Sequence, residues 1–476
     1  MPKVTFPRVM FAAPFSNAGK TTVTLSVLAA LVARGNTVQA YKCGPDYIDT
    51  SFHEYATGHA AANLDTFLTP AVQIPAVLAD DARENELAVL EGAMGLFDGL
   101  GSTSEHSSAE IAALTKTPVI LVIPAKGIAA SSLPIIEGFA NFDERVEIKG
   151  VIFSDVASES YAKLLKEVML DAGKIKYLGY MKHDESITIP SRHLGLVPHC
   201  ELEGFATTLQ VMQKSAEETL DIEGILDIAK GAPELEYEEN QNKVKPLDPS
   251  QRPPVIGIVR DQAFNFYYRS SLQALIDAGA ILHEFSLLEE DELPADLDGL
   301  YIGGGYPEMF ADLIDENRSM ADSMYMAMRM GLPTYAEAGG FMYLQQSIVD
   351  EKGDTYEATG IYYGQVHMDV RKADHFGYVE MAVPEPNFLF KPGVTYRAHE
   401  FHHAIIYGEG TNFRFKKAST KQKWKGGGHR GNMIGSFAHL DFSAYPHLAE
   451  NFVKAASQYH TAKPTAEETR GRKSCG

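Results

Sequence analysis

Three clusters of residues have types and spacings suited to chemistry. The first is Pro14-Phe-Ser-Asn-Ala-Gly-Lys-Thr-Thr22. It approximates a phosphate loop, whose pattern is glycine, four residues, glycine, lysine, then serine or threonine. That chemistry needs backbone N–H groups turned around a phosphate, an ammonium near the β/γ position and a hydroxyl for magnesium. Gly19, Lys20 and Thr21 fill the second half, while Pro14 stands where the first glycine is usual. Ser16, Asn17, Ala18, Gly19, Lys20, Thr21 and Thr22 are therefore the candidate ATP-binding residues. The second cluster is acidic: Lys42-Cys-Gly-Pro-Asp-Tyr-Ile-Asp49 and Glu91-Gly-Ala-Met-Gly-Leu-Phe-Asp-Gly99 each follow an apolar run. Magnesium takes oxygen ligands, commonly one or two carboxylates beside phosphates. Thr21, Asp46 and Glu91 are the candidate ligands, and Asp98 comes next. The third cluster lies far along the chain. Gly303-Gly-Gly-Tyr-Pro-Glu308 can aim the N–H groups of Gly304 and Gly305 at an oxyanion. Leu332 to Met342 reads as strand, sharp turn and helix start, the shape of a nucleophile elbow. His439 is placed to act as a base and Asp441 to orient it. The apex of that elbow is Ala338, which has no nucleophilic group.

The elements that must position these residues are legible as apolar runs. Val9–Ala13, Val38–Tyr41, Leu87–Leu90, Val119–Ile123 and Lys149–Phe153 read as buried parallel strands separated by helical patterns. Lys20–Arg34 has helical apolar spacing and stops at Gly35. In such a sheet, ligands gather at the carboxyl ends of the strands, where the first two clusters fall. Composition shifts to acidic, polar and proline-rich between about Ala229 and Pro254. Apolar strands resume at Val255–Val259 and Leu300–Ile302, with a helix near Ser270–Ala278. The expected organisation is an ATP-binding domain over 1–235, a linker over 236–253, a second α/β domain over 254–460 and a frayed tail over 461–476.

Composition narrows the class. The 476 residues suggest about two to four domains. With 42 basic and 63 acidic residues the formal charge is -21, which argues against nucleic acid or anionic membrane as partners. Met1–Phe15 has no leader pattern, and no apolar run nears the about 18 residues that span a bilayer. The cysteines Cys43, Cys200 and Cys475 form neither a disulfide framework nor a metal spacing. A cytoplasmic protein is expected, with a homodimer as the default oligomer.

Together with Ser191-Arg-His-Leu-Gly-Leu-Val-Pro198 and His399-Glu-Phe-His402, these segments resemble the cobyrinate a,c-diamide synthase family over nearly the whole chain. Relatives in that superfamily amidate sirohydrochlorin, its nickel form and siroheme. The resemblance implies an N-terminal P-loop domain similar to dethiobiotin synthetase, joined to a C-terminal class I glutamine-amidotransferase-like α/β domain. It implies ATP-dependent amidation of the a and c acetates of cobyrinate or hydrogenobyrinate through acyl phosphates. Lys20 would neutralise the transferred phosphate, and Thr21, Asp46 and Glu91 would hold magnesium. Tyr47, Asp46 and Asp98 match positions used at the substrate carboxylates, and Arg192 and His193 suit the other ring carboxylates. Because the chain is acidic, its tetrapyrrole site must be locally basic. Asn17, where a glycine is usual, and Ser154, near a usual asparagine, depart from the family pattern.

The family takes ammonia from glutamine by means of a cysteine, and that position is Ala338 here. Alanine cannot form a γ-glutamyl thioester, so the glutaminase step is expected to be absent. Either the alanine replaces an original cysteine, or free ammonia or a separate glutaminase feeds the enzyme. Two alternatives stand beside the cobyrinate reading. One is sirohydrochlorin-type diamidation; the other is a nucleotide-dependent tetrapyrrole-binding protein that has lost catalysis.

Overall fold

The computed structural model describes residues 1–81, 86–171, 173–192, 195–240, 243–350, 352–368, 375–408 and 411–462. The chain divides into two compact units, Met1–Gln241 and Asn242–Gly476.

The first unit is built on a seven-stranded parallel sheet. Its strands are β1 (Arg8–Ala12), β2 (Val38–Cys43), β3 (Ala62–Leu64), β4 (Leu87–Glu91), β5 (Val119–Pro124), β6 (Ile148–Val156) and β7 (Lys176–Lys182). Their spatial order is β3-β2-β4-β1-β5-β6-β7, so the order reverses beside β1. Every residue of β1, β2 and β4 is buried, as expected of strands covered on both faces. Helix α1 (Lys20–Ala33) follows β1 through the phosphate loop, and α2 (Ile48–Thr57) follows β2 through the first acidic loop. Both loops and the loop after β4 therefore leave the carboxyl ends of adjacent central strands. A short strand, Leu235–Glu236, pairs antiparallel with Lys3–Val4 and returns residue 236 to this unit.

The second unit has a six-stranded sheet. Its strands are β8 (Val255–Val259), β9 (Ile281–Phe285), β10 (Gly299–Ile302), β11 (Thr334–Glu337), β13 (Gly428–Arg430) and β14 (Met433–Ser436); β12 (Thr395–Phe401) lies in a separate four-stranded sheet. The order is β9-β8-β10-β11-β14-β13, parallel except for β13. Helix α3 (Gly339–Tyr343) starts directly after β11 and is wholly buried. The α/β class with parallel sheets in both units is as the sequence implied. Among the described residues, no helix is long and apolar enough to cross a membrane. Cys43 is buried and Cys200 exposed, both as free thiols; Cys475 lies outside the described residues.

Candidate active sites

In the first unit, the loop after β1 wraps the end of α1. Asn17 has φ 60° and Gly19 has φ 83°. Asparagine tolerates the left-handed region better than most residues, which accounts for its standing where glycine is usual. The Ser154 hydroxyl at the end of β6 donates to the Ala18 carbonyl at 2.6 Å. A Cβ on Gly19 would come within 3.0 Å of Ser154 Cβ, so this serine braces the loop from behind. Lys20, nearly buried, donates to the carbonyls of Met94 at 2.6 Å and Phe15 at 3.3 Å. Burial, then repulsion from Lys42, lowers its pKa to about 8.

Behind Thr21 stands a buried ionic cluster. The Thr21 hydroxyl donates to Glu91 Oε1 at 2.7 Å and lies 3.4 Å from Asp49 Oδ1. Lys42 Nζ donates to Glu91 Oε1 at 2.8 Å and pairs with Asp49. His53 Nε2 lies 2.7 Å from Glu91 Oε2, and both side chains are fully buried. Burial works against the charge on Glu91, but Lys42 and then His53 outweigh it and hold its pKa below the usual carboxylate range. Burial raises Asp49 to about 7, against the pull of Lys42. Burial also opposes the charge on Lys42, yet Asp49 and Glu91 prevail and its pKa is raised. One ammonium thus serves two carboxylates, and the better bonded of them, Glu91, is the one held low.

Lys20, Thr21, Lys42 and Asp49 face a cavity of about 670 Å³ at the carboxyl end of the sheet, lined also by Asp46, Ser154 and Leu196. One expectation is revised. Glu91, read as a direct metal ligand, is fully buried and commits both oxygens to Lys42, Thr21 and His53, so it addresses the cavity through Thr21. Asp98 Oδ2 accepts the Gly95 N–H at 2.9 Å, which orders its loop. Asp46 Oδ1 accepts the N–H groups of Ile48 and Asp49 at 2.8 and 3.0 Å and so starts α2, beside Tyr47 at the N-cap. Arg192 lies on a two-residue strand paired with Gly195–Leu196; His193 lies outside the described residues. Asp49 and His53 were missed by the sequence reading. Asp49 closes a motif already noticed; His53 follows one helical turn later and gives no signal of its own.

The donors beside the phosphate loop, the Thr21 hydroxyl and the Asp46 and Asp49 carboxylates, fit a hard cation; His183 also lines the cavity. Among the described residues no three His, Cys, Asp or Glu side chains form a metal-holding group. That suits magnesium, most of whose shell comes from phosphate and water.

In the second unit, Ala338 sits at the elbow between β11 and α3 with φ 42° and ψ -106°. A non-glycine residue at positive φ is strained, and such strain lifts the apex side chain out of the turn. The Ala338 N–H is held by the Ser436 carbonyl at 2.8 Å. His439 is buried, and a Cβ on Gly304 would lie 2.5 Å from its Cε1, so histidine and glycine turn abut. Two further revisions follow. Gly304, read as an oxyanion donor, gives its N–H to the Phe266 carbonyl at 3.2 Å in a β-bridge, which leaves the Gly305 amide as the candidate donor. Asp441, read as the partner of His439, accepts from the Ser270 and Ser443 hydroxyls at 2.8 and 2.7 Å. The carboxylate at His439 Nδ1 is Glu337, at 3.4 Å. Glu337 is itself fixed by Tyr301, Tyr335 and the Leu440 N–H at 3.0, 2.7 and 3.0 Å. Burial, with Glu337 next, raises both tyrosines well above their usual pKa, so they remain donors. Glu337 directly precedes the elbow apex, and only that adjacency could have flagged it.

Comparison with known proteins bears on both units. Residues 9–197 match the family model of the CobQ/CobB/MinD/ParA nucleotide binding domain. Residues 255–446 match that of the CobB/CobQ-like glutamine amidotransferase domain. A cobyrinate a,c-diamide synthase of Caldanaerobacter subterraneus subsp. tengcongensis is 38% identical over 94% of this chain and 98% of its own. One from Listeria innocua is 39% identical over 92% and 97%, and one from Thermoplasma volcanium 35% over 95% and 98%. A nucleotide-binding unit and an amidotransferase unit thus occur in one chain, in the same order and at nearly full length: this protein belongs to the cobyrinate a,c-diamide synthase family and is an amidotransferase of the ligase class.

Proposed function

We propose that the protein converts the a and c acetates of a cobyrinate-type ring to amides, using ATP and free ammonia. The observation that carries the phosphoryl-transfer half is the Lys20, Thr21, Lys42 and Asp49 set lining the cavity, with Glu91 buried behind Thr21. A carboxylate oxygen of the ring attacks the γ-phosphorus, and the bond to the ADP oxygen breaks. Lys20 withdraws from the Phe15 and Met94 carbonyls to meet the phosphate charge that develops. Ammonia then adds to the acyl carbon, inorganic phosphate leaves with the C–O electron pair, and the nitrogen loses a proton. When bound, magnesium supplies charge neutralisation between the phosphates; Thr21 Oγ1 and Asp46 would hold it. Tyr47, Arg192 and His193 are assigned to the ring carboxylates on the family motif.

The absent thiol at Ala338 is the reason for naming ammonia as the donor. His439, Glu337 and the Gly305 amide have no nucleophile to serve. The test is phosphate release and product mass with ammonium, then with glutamine, across cobyrinate, sirohydrochlorin and siroheme. Ammonium-dependent diamide from cobyrinate supports the proposal. Product from sirohydrochlorin alone reassigns the ring, and no phosphate release with any of them rejects the enzyme reading in favour of a tetrapyrrole-binding protein.

A further inference from the structure

The buried contact between His53 and Glu91 has no part in the chemistry described above. His53 lies on α2 with no exposed surface, and the only hydrogen-bond partner of its ring among the described residues is Glu91, at 2.7 Å from Nε2. The other ring nitrogen, Nδ1, is buried with no hydrogen-bond partner. An imidazole left half-satisfied in a core is costly, so the bond it does make has a use beyond packing. That use is visible across the carboxylate. Glu91 Oε2 is taken by His53, while Oε1 accepts from Lys42 at 2.8 Å and Thr21 at 2.7 Å. With Oε2 anchored, the carboxyl plane cannot turn, and Oε1 stays aimed at the Thr21 hydroxyl. Thr21 must then spend its hydrogen on Glu91, and its lone pairs point into the cavity. Lys42 cannot supply the same constraint, because it is shared with Asp49.

We propose that His53 is a positioning residue which fixes the rotation of Glu91, and through it the lone pairs of Thr21, for a divalent cation bound with the nucleotide. This rests on the nucleotide reading of the cavity. Partners behind a ligand commonly change metal affinity by about 10- to 100-fold. His53→Leu fills the same space without a donor; His53→Gln places an amide nitrogen near the position of Nε2; His53→Asn carries an amide too short to reach Glu91.

The experiment is ATP binding by the full-length protein, titrated with magnesium and repeated in a chelator. His53→Leu is expected to raise the magnesium concentration for half-maximal effect by about 10-fold or more. Metal-free ATP affinity should stay within about twofold, and His53→Gln should return the magnesium requirement towards wild type. An unchanged magnesium requirement in His53→Leu would overturn the proposal. So would equal weakening with and without metal, which marks a merely structural role. If His53→Leu does not fold, the amide pair decides: the proposal requires that His53→Asn needs more magnesium than His53→Gln, and equality refutes it. Wild-type protein that binds no ATP in either condition would instead remove the nucleotide reading beneath it.

Discussion

At the residue scale, the proposed function turns on Ala338, whose side chain cannot act as a nucleophile. Ala338 holds the strained elbow, and His439 is oriented by Glu337, whose oxygens take three other donors. Ala338→Cys is therefore expected to create glutamine-dependent amidation, read as glutamate release coupled to amide product. If the revertant stays inert with glutamine but works with ammonium, more than the thiol has been lost. In that background, Glu337→Gln should lower the glutamine-dependent rate by about 10²-fold or more and leave the ammonium-dependent rate unchanged, because only the first needs an oriented imidazole. In the first unit, Lys20→Met should reduce ATP-driven amidation by at least about 10²-fold with either nitrogen source. A fourth expectation concerns pH. His399 lies opposite His439 in a β-bridge, and burial, then the charge of His439, lowers its pKa from 6.5 to about 3. As pH falls below 6.5 the unfolded chain takes up this proton while the folded one does not. Stability supplied above 6.5 is thus lost towards pH 3, at up to about 1.4 kcal/mol per pH unit. His399→Phe should flatten the fall of the urea midpoint between pH 7 and pH 5; an unchanged slope would show that this ring does not titrate as assigned.

At the element scale, both sites are loops delivered by short buried strands, and that much was readable. The apolar runs at Val9, Val38, Leu87, Val119 and Val255 are strands because they are covered on both faces and need no alternation. Some strands that escaped notice have weak cores: Ala62–Leu64 is three residues long, and Lys176–Lys182 and Ile281–Phe285 are edge strands with exposed or half-buried positions. Met433–Ser436 escaped although it is wholly buried, because it is short and broken by Gly435. The sites followed the same rule. Motif residues such as Lys20 and Thr21 were legible from local spacing. Glu337 and His53 were not, because their roles come from contacts 102 and 38 residues away along the chain. Close approach of elements also gives a prediction opposite to propensity. Gly340 lies in α3 so near β10 that a Cβ would overlap the Ile302 carbonyl oxygen and stand 2.9 Å from that of Gly303. Gly340→Ala, which favours an isolated helix, should here destabilise the protein by about 1–3 kcal/mol, read in the denaturant midpoint.

At the scale of the whole molecule, two units of nearly equal length divide the labour. One matches the nucleotide-binding family and has the cavity lined by Lys20, Thr21 and Asp49; the other matches the glutamine-amidotransferase family and has Ala338 at its strand-to-helix elbow. The net charge of -21 sets a condition on the first, since a polycarboxylate ring must be met by local positive charge. Lys20 and Lys182, which line the cavity, supply part of it, whereas Lys42 is already offset by Asp49 and Glu91. On the proposed function, ATP-driven amidation survives while glutamine use does not. Mass analysis of cobyrinate incubated with the full-length protein, ATP and magnesium, with ammonium in one arm and glutamine in the other, tests it most directly. The diamide is expected with ammonium and unchanged cobyrinate with glutamine; equal product in both arms, or none in either, would overturn the proposed function.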